Sequence, residues 1–390
     1  MKITIDQNEL WRGVNTVFDV VPSRPALPVL SNILLTADRD QLTLAATDLD
    51  LSISTNVSAK VERSGSTVVP ARTFAEIARE WPEAQLSIES ESERLVISGT
   101  LGSSDDGTGS YSLSGMPPDE FPKMDTSLEG LSIDVDNLPQ LDSRVLGEMV
   151  NKTIFAVSKD ETRPVCTGVL WCIEENGMNM VATDGSRLAY CHRNLDLKSQ
   201  MDGRQATEVI VPPKSLGHLV KLFNGHGQSR LVRCTFGASQ VLFDLGDTYL
   251  LSRLIEGPYV NYRQVIPGQN SKKLQVANDH LLPAVRRVSI LSNSYTRQVR
   301  LHLKGNSIEL TASSQEIGGE AREVIPAIYD EEEIEVGYNA TYLMEILRKM
   351  GSQEVIFDLS NSVTAAILRP EHQEEGEDYF CLLMPLRPSG

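Results

Sequence analysis

Residues 181–190 read VATDGSRLAY, and Cys191 and His192 follow directly. An Asp, a Ser and a His this close in sequence are the side chains of an activated nucleophile. Asp184 would orient His192, and His192 would take the proton of Ser186. Without chemistry, the same stretch is a turn between two strands in which Thr and Asp side chains hydrogen-bond the backbone. Residues 45–54, AATDLDLSIS, decide between the two, because Thr47-Asp48 stands there as Thr183-Asp184 does in the first stretch. In that copy Asp50 takes the place of Ser186 and no His follows. In a third stretch, SIELTASSQEIGGEA, the Asp is replaced by Ser314. An active site is rarely built more than once with its reacting groups exchanged, so a turn is expected and a triad is not. The phosphate-cradling patterns G-x-x-x-x-G-K-[ST] and G-x-G-x-x-G after a strand are absent, and so is H-E-x-x-H. No catalytic residue, metal ligand set or cofactor site is expected.

The elements that hold these turns repeat with them. Thr47, Thr183 and Ser313 lie about 130 to 136 residues apart, a domain-sized period. In each copy alternating apolar and polar residues run into the turn and out of it, which is strand, turn, strand. Each copy opens with a helical stretch, at 6–21, 142–160 and 277–293, with apolar residues at helical spacing such as Leu146, Met149, Val150, Ile154 and Val157. A second helix follows a short strand, at 69–83, 211–225 and 337–351, where Val-Pro precedes the first two and Asn339 follows Gly-Tyr in the third. The Pro-rich stretches 116–124 and 255–267 read as linkers. These spacings predict three α+β domains at 1–126, 127–264 and 265–390.

Bulk composition narrows the setting. At 390 residues, 41% hydrophobic and 23% charged, the chain has the make-up of a soluble globular protein of two or three domains. There is no apolar run near 18 residues, and MKITIDQNELW lacks the apolar core of a signal peptide. Five cysteines, Cys166, Cys172, Cys191, Cys234 and Cys381, contain no C-x-x-C pair, which points to free thiols in a reducing cytoplasm. The net charge of −17 speaks against a surface that grips nucleic acid all over. The charge is unevenly spread, however. The six helical stretches hold 12 Lys or Arg against 11 Asp or Glu, so the whole negative excess lies outside them. The 212–225 helix carries Lys214 and Lys221 and no acid. Such helices suit a wall that meets a polyanion weakly and reads no bases; ordinary solvated helix faces are the plainer account.

Eight segments carry a resemblance: SRPALPVLSNILL (23–35), VPARTF (69–74), ETRPVCTGVLW (161–171), VATDGSRLAY, NYRQVIP (261–267), VSILSN (288–293), GYNATYL (337–343) and LMPLR (383–387). In this order they resemble the bacterial sliding clamps, the beta subunits of DNA polymerase III, over nearly the whole chain. The resemblance implies a threefold-repeated chain with the DNA clamp fold. It would dimerise head to tail into a six-domain ring around double-stranded DNA, with helices lining the hole. The ring would tether the replicative DNA polymerase, the clamp loader and other clamp-binding proteins without activity of its own. Position by position, it implies that Arg24, Arg72 and Lys214 face DNA. It also implies a partner-peptide groove of Thr183, Gly185, Arg187, Leu188, Val265, Asn339, Tyr342, Val363, Met384, Pro385 and Leu386. In that groove Arg187 and Asn339 would orient the peptide backbone. Tyr111 and Leu113 would pack against Ile290 and Leu291 of the other chain. The sequence departs from the family at Cys166 and Thr296, where larger apolar groove residues are expected, and at Ser186, where a His is. The loop 99–112 is longer and more acidic than usual, and Pro388-Ser389-Gly390 extends the tail. A clamp paralogue serving repair or a mobile element, and a monomeric peptide-binding scaffold, are the alternatives open at this point.

Overall fold

A computed structural model describes residues 1–91, 93–101, 107–134, 142–201, 206–224, 232–315 and 318–387. The tail Pro388-Ser389-Gly390 and the middle of the 99–112 loop therefore lie outside the described residues. The chain divides into two compact units, Met1–Ser143 with Gly217–Leu254 and Arg144–Leu216 with Ile255–Gly390. Among the described residues no helix is long and apolar enough to cross a membrane.

In the first unit an antiparallel five-stranded sheet runs in the order Lys60–Arg63, Lys2–Asp6, Gln85–Glu91, Arg94–Thr100, Thr108–Ser114. An eight-stranded sheet runs Leu131–Asp134, Arg233–Phe236, Gln240–Asp244, Thr248–Arg253, Leu51–Ser58, Gln41–Thr47, Asn32–Asp38, Gly65–Pro70. The strand Leu51–Ser58 alternates buried and half-buried residues, as a sheet covered on one face requires. Helix Gln7–Phe18 covers it. Asp6 caps the helix by accepting from the Asn8 amide at 2.9 Å, and Leu10, Val14 and Val17 form the buried stripe. Gly13 permits the contact, since a Cβ there would stand 2.6 Å from Leu44 Cδ1 and 2.9 Å from Val57 Cγ1. Helix Ala71–Glu80 buries Phe74, Ala75 and Ala78.

In the second unit the eight-stranded order is Thr207–Val211, Val169–Glu174, Gly177–Thr183, Arg187–Asn194, Glu377–Leu383, Ala366–Pro370, Glu354–Leu359, Lys272–Ala277. Gly177–Thr183 is buried at every residue, the mark of a strand covered on both faces. A four-stranded sheet runs Gly319–Pro326, Ser307–Ser314, Gln298–Lys304, Ile334–Asn339. Helices Ser143–Thr153, Asn278–Val288 and Ala340–Leu347 complete the unit, with helix Pro213–Asn224 entering the first unit at Gly217.

The strand-turn-strand units fall where the repeats predict them, and every expected helix forms in a shorter version. The strands also pair across the sequence repeats. Leu51–Ser58 pairs with Thr248–Arg253, and Arg187–Asn194 with Glu377–Leu383, so each large sheet draws on two successive copies.

Candidate functional site

The turn after Gly177–Thr183 is closed by its own side chains. Thr183 Oγ1 donates to the Arg187 carbonyl at 2.7 Å and accepts from the Gly185 amide at 3.1 Å. Asp184 Oδ1 accepts from the Ser186 and Arg187 amides at 2.9 and 3.0 Å. Gly185 takes φ +89°, a conformation that suits glycine. Asp184 is thus spent on its turn and on Arg187, whose Nε donates to Asp184 Oδ2 at 3.1 Å. His192 lies down the strand with Nδ1 at 2.5 Å from Asn179 Oδ1 and Nε2 at 2.8 Å from Asn194 Oδ1. Neither Asp184 nor Ser186 reaches it, and no triad is assembled. Nor do Cys166, Cys172, Cys191 and Cys381 offer a thiolate nucleophile. Burial pushes the thiol of Cys166 up, and burial first of all lifts Cys172, Cys191 and Cys381 to about 12. Among the described residues no group of three or more His, Cys, Asp or Glu is arranged to hold a metal.

A cavity of about 290 Å³ opens beside this turn, lined by Arg163, Cys166, Thr183, Gly185, Arg187, Leu188, Val260, Asn261, Tyr262, Val265, Leu382 and Met384. Its floor is apolar. Leu188 and Leu382 belong to a buried cluster with Leu170, Val181, Ile210, Tyr262, Ile367 and Phe380. Its rim is also apolar but open to solvent, with Val265 58% and Met384 45% exposed. Met384 is held in place by its amide, which donates to the Ser186 carbonyl at 2.9 Å.

Six of the eleven expected groove residues, Thr183, Gly185, Arg187, Leu188, Val265 and Met384, line this cavity. The other five do not. Asn339 caps helix Ala340–Leu347, accepting from the Thr341 and Tyr342 amides, and its Nδ2 donates to the Thr296 carbonyl at 3.2 Å. Tyr342 lies 4.4 Å below the Arg187 guanidinium. Val363, 63% exposed, stands on a turn that Asn361 closes. Leu386 bridges to Gly337, with Pro385 between it and Met384. The side chains of Arg187 and Asn339, expected to orient the peptide backbone, are hydrogen-bonded within the protein, Arg187 in the cavity wall and Asn339 at its helix cap. The sequence reading passed over Arg163, Val260, Asn261, Tyr262 and Leu382. All five lie in or beside segments carrying the resemblance; Arg163, Val260 and Asn261 are exposed, and Tyr262 and Leu382 are buried.

The remaining expected site residues lie elsewhere. Arg24, Arg72 and Lys214 are exposed, the last two in the first turns of helices Ala71–Glu80 and Pro213–Asn224. Arg24 and Arg72 form no ion pair among the described residues. Many other helix cations are paired, as Lys221 is with Asp19 at 2.7 Å, Arg144 with Glu148 at 2.7 Å and Arg287 with Glu323 at 2.8 Å. Tyr111 is 48% exposed on the edge strand Thr108–Ser114, with its ring edge-on to Trp81 at 5.1 Å. Leu113 is half-buried on the same strand. In the second unit Ile290 is 71% exposed, and the half-buried Leu291 packs beside Gly319 on the edge strand Gly319–Pro326.

Comparison with known proteins agrees with this geometry. Residues 1–125, 140–261 and 263–387 match, in turn, the N-terminal, central and C-terminal domains of the DNA polymerase III beta subunit. The chain is 32% identical over 379 residues to the beta sliding clamp of Synechococcus elongatus, covering 95% of this chain and 96% of that one. It is 30% identical over 389 residues to the beta sliding clamp of Escherichia coli, covering 99% and 100%. A crystal structure of the DNA polymerase sliding clamp from Pseudomonas aeruginosa superposes with a TM-score of 0.89 at 28% identity, over 99% of this chain and all of that one. A turn that closes on itself, an apolar cleft beside it and three successive family domains lead to one conclusion: the chain belongs to the DNA polymerase III beta subunit family, the bacterial sliding clamps.

Proposed function

We propose that the cavity beside the Thr183–Arg187 turn is the docking groove through which this clamp holds its replication partners. Proteins of this family are non-catalytic processivity factors that dimerise, encircle duplex DNA and tether the polymerase. A ring that serves several enzymes needs a shared site, and a preformed apolar pocket with a polar frame suits a short extended peptide. The observation that carries the reading is the combination of a buried floor at Leu188 and Leu382 with a solvent-exposed rim at Val265 and Met384. Such a rim gains from being covered, whereas an ordinary surface would not leave it open.

Three further assignments belong to this reading. The domain boundaries are 1–126, 127–264 and 265–390. Arg24, Arg72 and Lys214 face the DNA, contributing sequence-independent and salt-sensitive contacts. The head-to-tail contact joins Tyr111 and Leu113 to Ile290 and Leu291 of the second copy, and both sets lie on or beside the edge strands Thr108–Ser114 and Gly319–Pro326. Edge strands present unpaired backbone groups that a second copy can pair. The buried, free thiols fit a cytoplasmic setting.

The test is calorimetric titration of short Gln- and Leu/Phe-containing peptides from replicative polymerases. Met384→Ala should weaken binding by more than about 1 kcal/mol, a rise in Kd of about fivefold or more. Equal affinity of wild type and variant overturns the assignment.

A further inference from the structure

Arg187 is almost completely buried, its side chain only 7% exposed, and it is held from three directions. Nε donates to Asp184 within the turn at 3.1 Å, one terminal nitrogen donates to the Phe155 carbonyl at 2.8 Å, and the other pairs with the Glu345 carboxylate. Its guanidinium plane also lies 4.4 Å over the Tyr342 ring. Glu345 stands three residues after Tyr342 on helix Ala340–Leu347, so both project from one helix face. Glu345 does not line the groove, and nothing above gives it a role.

From this arrangement we infer that Glu345 is a positioning residue for partner binding. It fixes Arg187 over Tyr342, and through Arg187 it sets the Thr183–Leu188 wall of the groove. The inference rests on the docking reading above. Neutrality is not what Glu345 supplies, because the guanidinium already has the buried Asp184 carboxylate as its counter-charge. What Glu345 adds is direction. Asp184 ties Arg187 to its own turn, and Glu345 and the Phe155 carbonyl tie its side chain to other elements, beside the bond of the Met384 amide to the Ser186 carbonyl. A guanidinium released from Glu345 can tilt with the turn, and the cavity wall then has more than one position. An ordered wall is worth affinity because the ligand no longer has to order it.

A variant at Glu345 should therefore fold normally and bind peptide poorly. Glu345→Gln keeps the shape and an acceptor but removes the charge-assisted bond. In the full-length dimer, hydrogen exchange at the Ser186 and Arg187 amides should quicken about tenfold, while the matching Asp50 and Leu51 amides of the first turn keep their rates. Peptide affinity should fall about tenfold, a change of about 1.4 kcal/mol. A double variant with Arg187→Met should bind no worse than Arg187→Met alone, because the two residues act as one unit. Exchange and affinity both unchanged in Glu345→Gln, with Met384→Ala still defective, would overturn the inference and leave the groove standing. Additive losses in the double variant would also overturn it. A wild type that binds no peptide overturns the groove reading itself, and the inference with it.

Discussion

The two Thr-Asp turns of this chain share a backbone and part company at the side chains. In the first, Thr47 Oγ1 donates to the Leu51 carbonyl at 3.1 Å, and Asp48 Oδ1 accepts from the Asp50 and Leu51 amides at 3.0 and 2.7 Å. These are bond for bond the contacts of Thr183 and Asp184. A cavity of about 290 Å³ lies beside each turn. The first is lined by Thr43, Ser52, Ser54, Ile53, Phe121 and Met124 among others, and the second by Leu188, Val265, Leu382 and Met384. Where the second turn ends in the triply anchored Arg187, the first ends in Leu51, a core residue 1% exposed. The repeat therefore supplies the scaffold twice, and a handful of substitutions decide which copy is a groove.

The largest break in this comparison comes from giving the second cleft the first one's floor. Ser52 occupies the place that Leu188 holds. Leu188→Ser removes a fully packed side chain and buries a hydroxyl, which should cost about 3 kcal/mol or more of stability and eliminate peptide binding. Ser52→Leu should create no binding in return, since the first cleft has no counterpart of the Met384 rim. Tight peptide binding by Leu188→Ser would show that the floor is not what the ligand uses.

A smaller effect separates the two aspartates. Asp48→Ala loses the bonds from the Asp50 and Leu51 amides and should cost about 1 kcal/mol. Asp184→Ala loses the same two and also the inner partner of a buried guanidinium, so about 2 to 3 kcal/mol is expected, with peptide affinity reduced as well. Denaturant unfolding of both variants measures the difference. Equal costs would mean that Glu345 and Phe155 alone satisfy Arg187.

Smaller still is the effect at the third turn position, where Leu49 at φ +83° faces Gly185 at φ +89°. A left-handed conformation costs a branched residue about 1 to 2 kcal/mol, which glycine escapes. Leu49→Gly should thus stabilise by up to about 1 kcal/mol despite the freer unfolded chain, and Gly185→Leu should destabilise by about as much or more. If Leu49→Gly destabilises, the Leu49 side chain contributes packing that outweighs its strain.

These contrasts also mark what the sequence could and could not disclose. The turns were legible because Thr-Asp closes its own loop through neighbours two to four residues away, a local signal present in the first two copies and changed to Ser313-Ser314 in the third. The helices were legible from spacing, and Asn339 marked one start through the amides two and three residues on, although the far ends were not legible, since fraying depends on packing. The partners of Arg187 were not legible. Phe155 is 32 residues away and Glu345 is 158, and no local pattern ties them to the turn. Pairing of Leu51–Ser58 with Thr248–Arg253 was hidden for the same reason, because a strand's hydrophobic alternation says which face is buried and not which neighbour it joins. The resemblance places Leu188, Met384 and Arg187 in one groove, and the fold brings all three to one cavity with Arg187 buried in its wall.

The finest difference between the clefts is chemical and appears only in alkali. Phe121 lies by the first cavity, and Tyr262 occupies the corresponding place by the second. Burial, reinforced by Cys172 nearby, pushes the Tyr262 phenol from its ordinary value near 10 up to about 12, and burial does the same to the Cys172 thiol from about 9. Both groups are neutral acids, so a raised value means that the folded chain keeps protons which the unfolded chain gives up. The contribution is fully present below pH 9 and is lost progressively between pH 9 and about 12. Tyr262→Phe makes the second cleft match the first and removes the phenol's share. At pH 7 its stability should differ from wild type by less than about 1 kcal/mol, because one buried hydroxyl is exchanged for a hydrogen. Between pH 10 and 12 its unfolding midpoint in urea should fall less steeply than that of wild type. Parallel pH profiles would mean that Tyr262 is wetter than its place in the fold implies, and the apolar floor assigned to the groove would have to be redrawn without it.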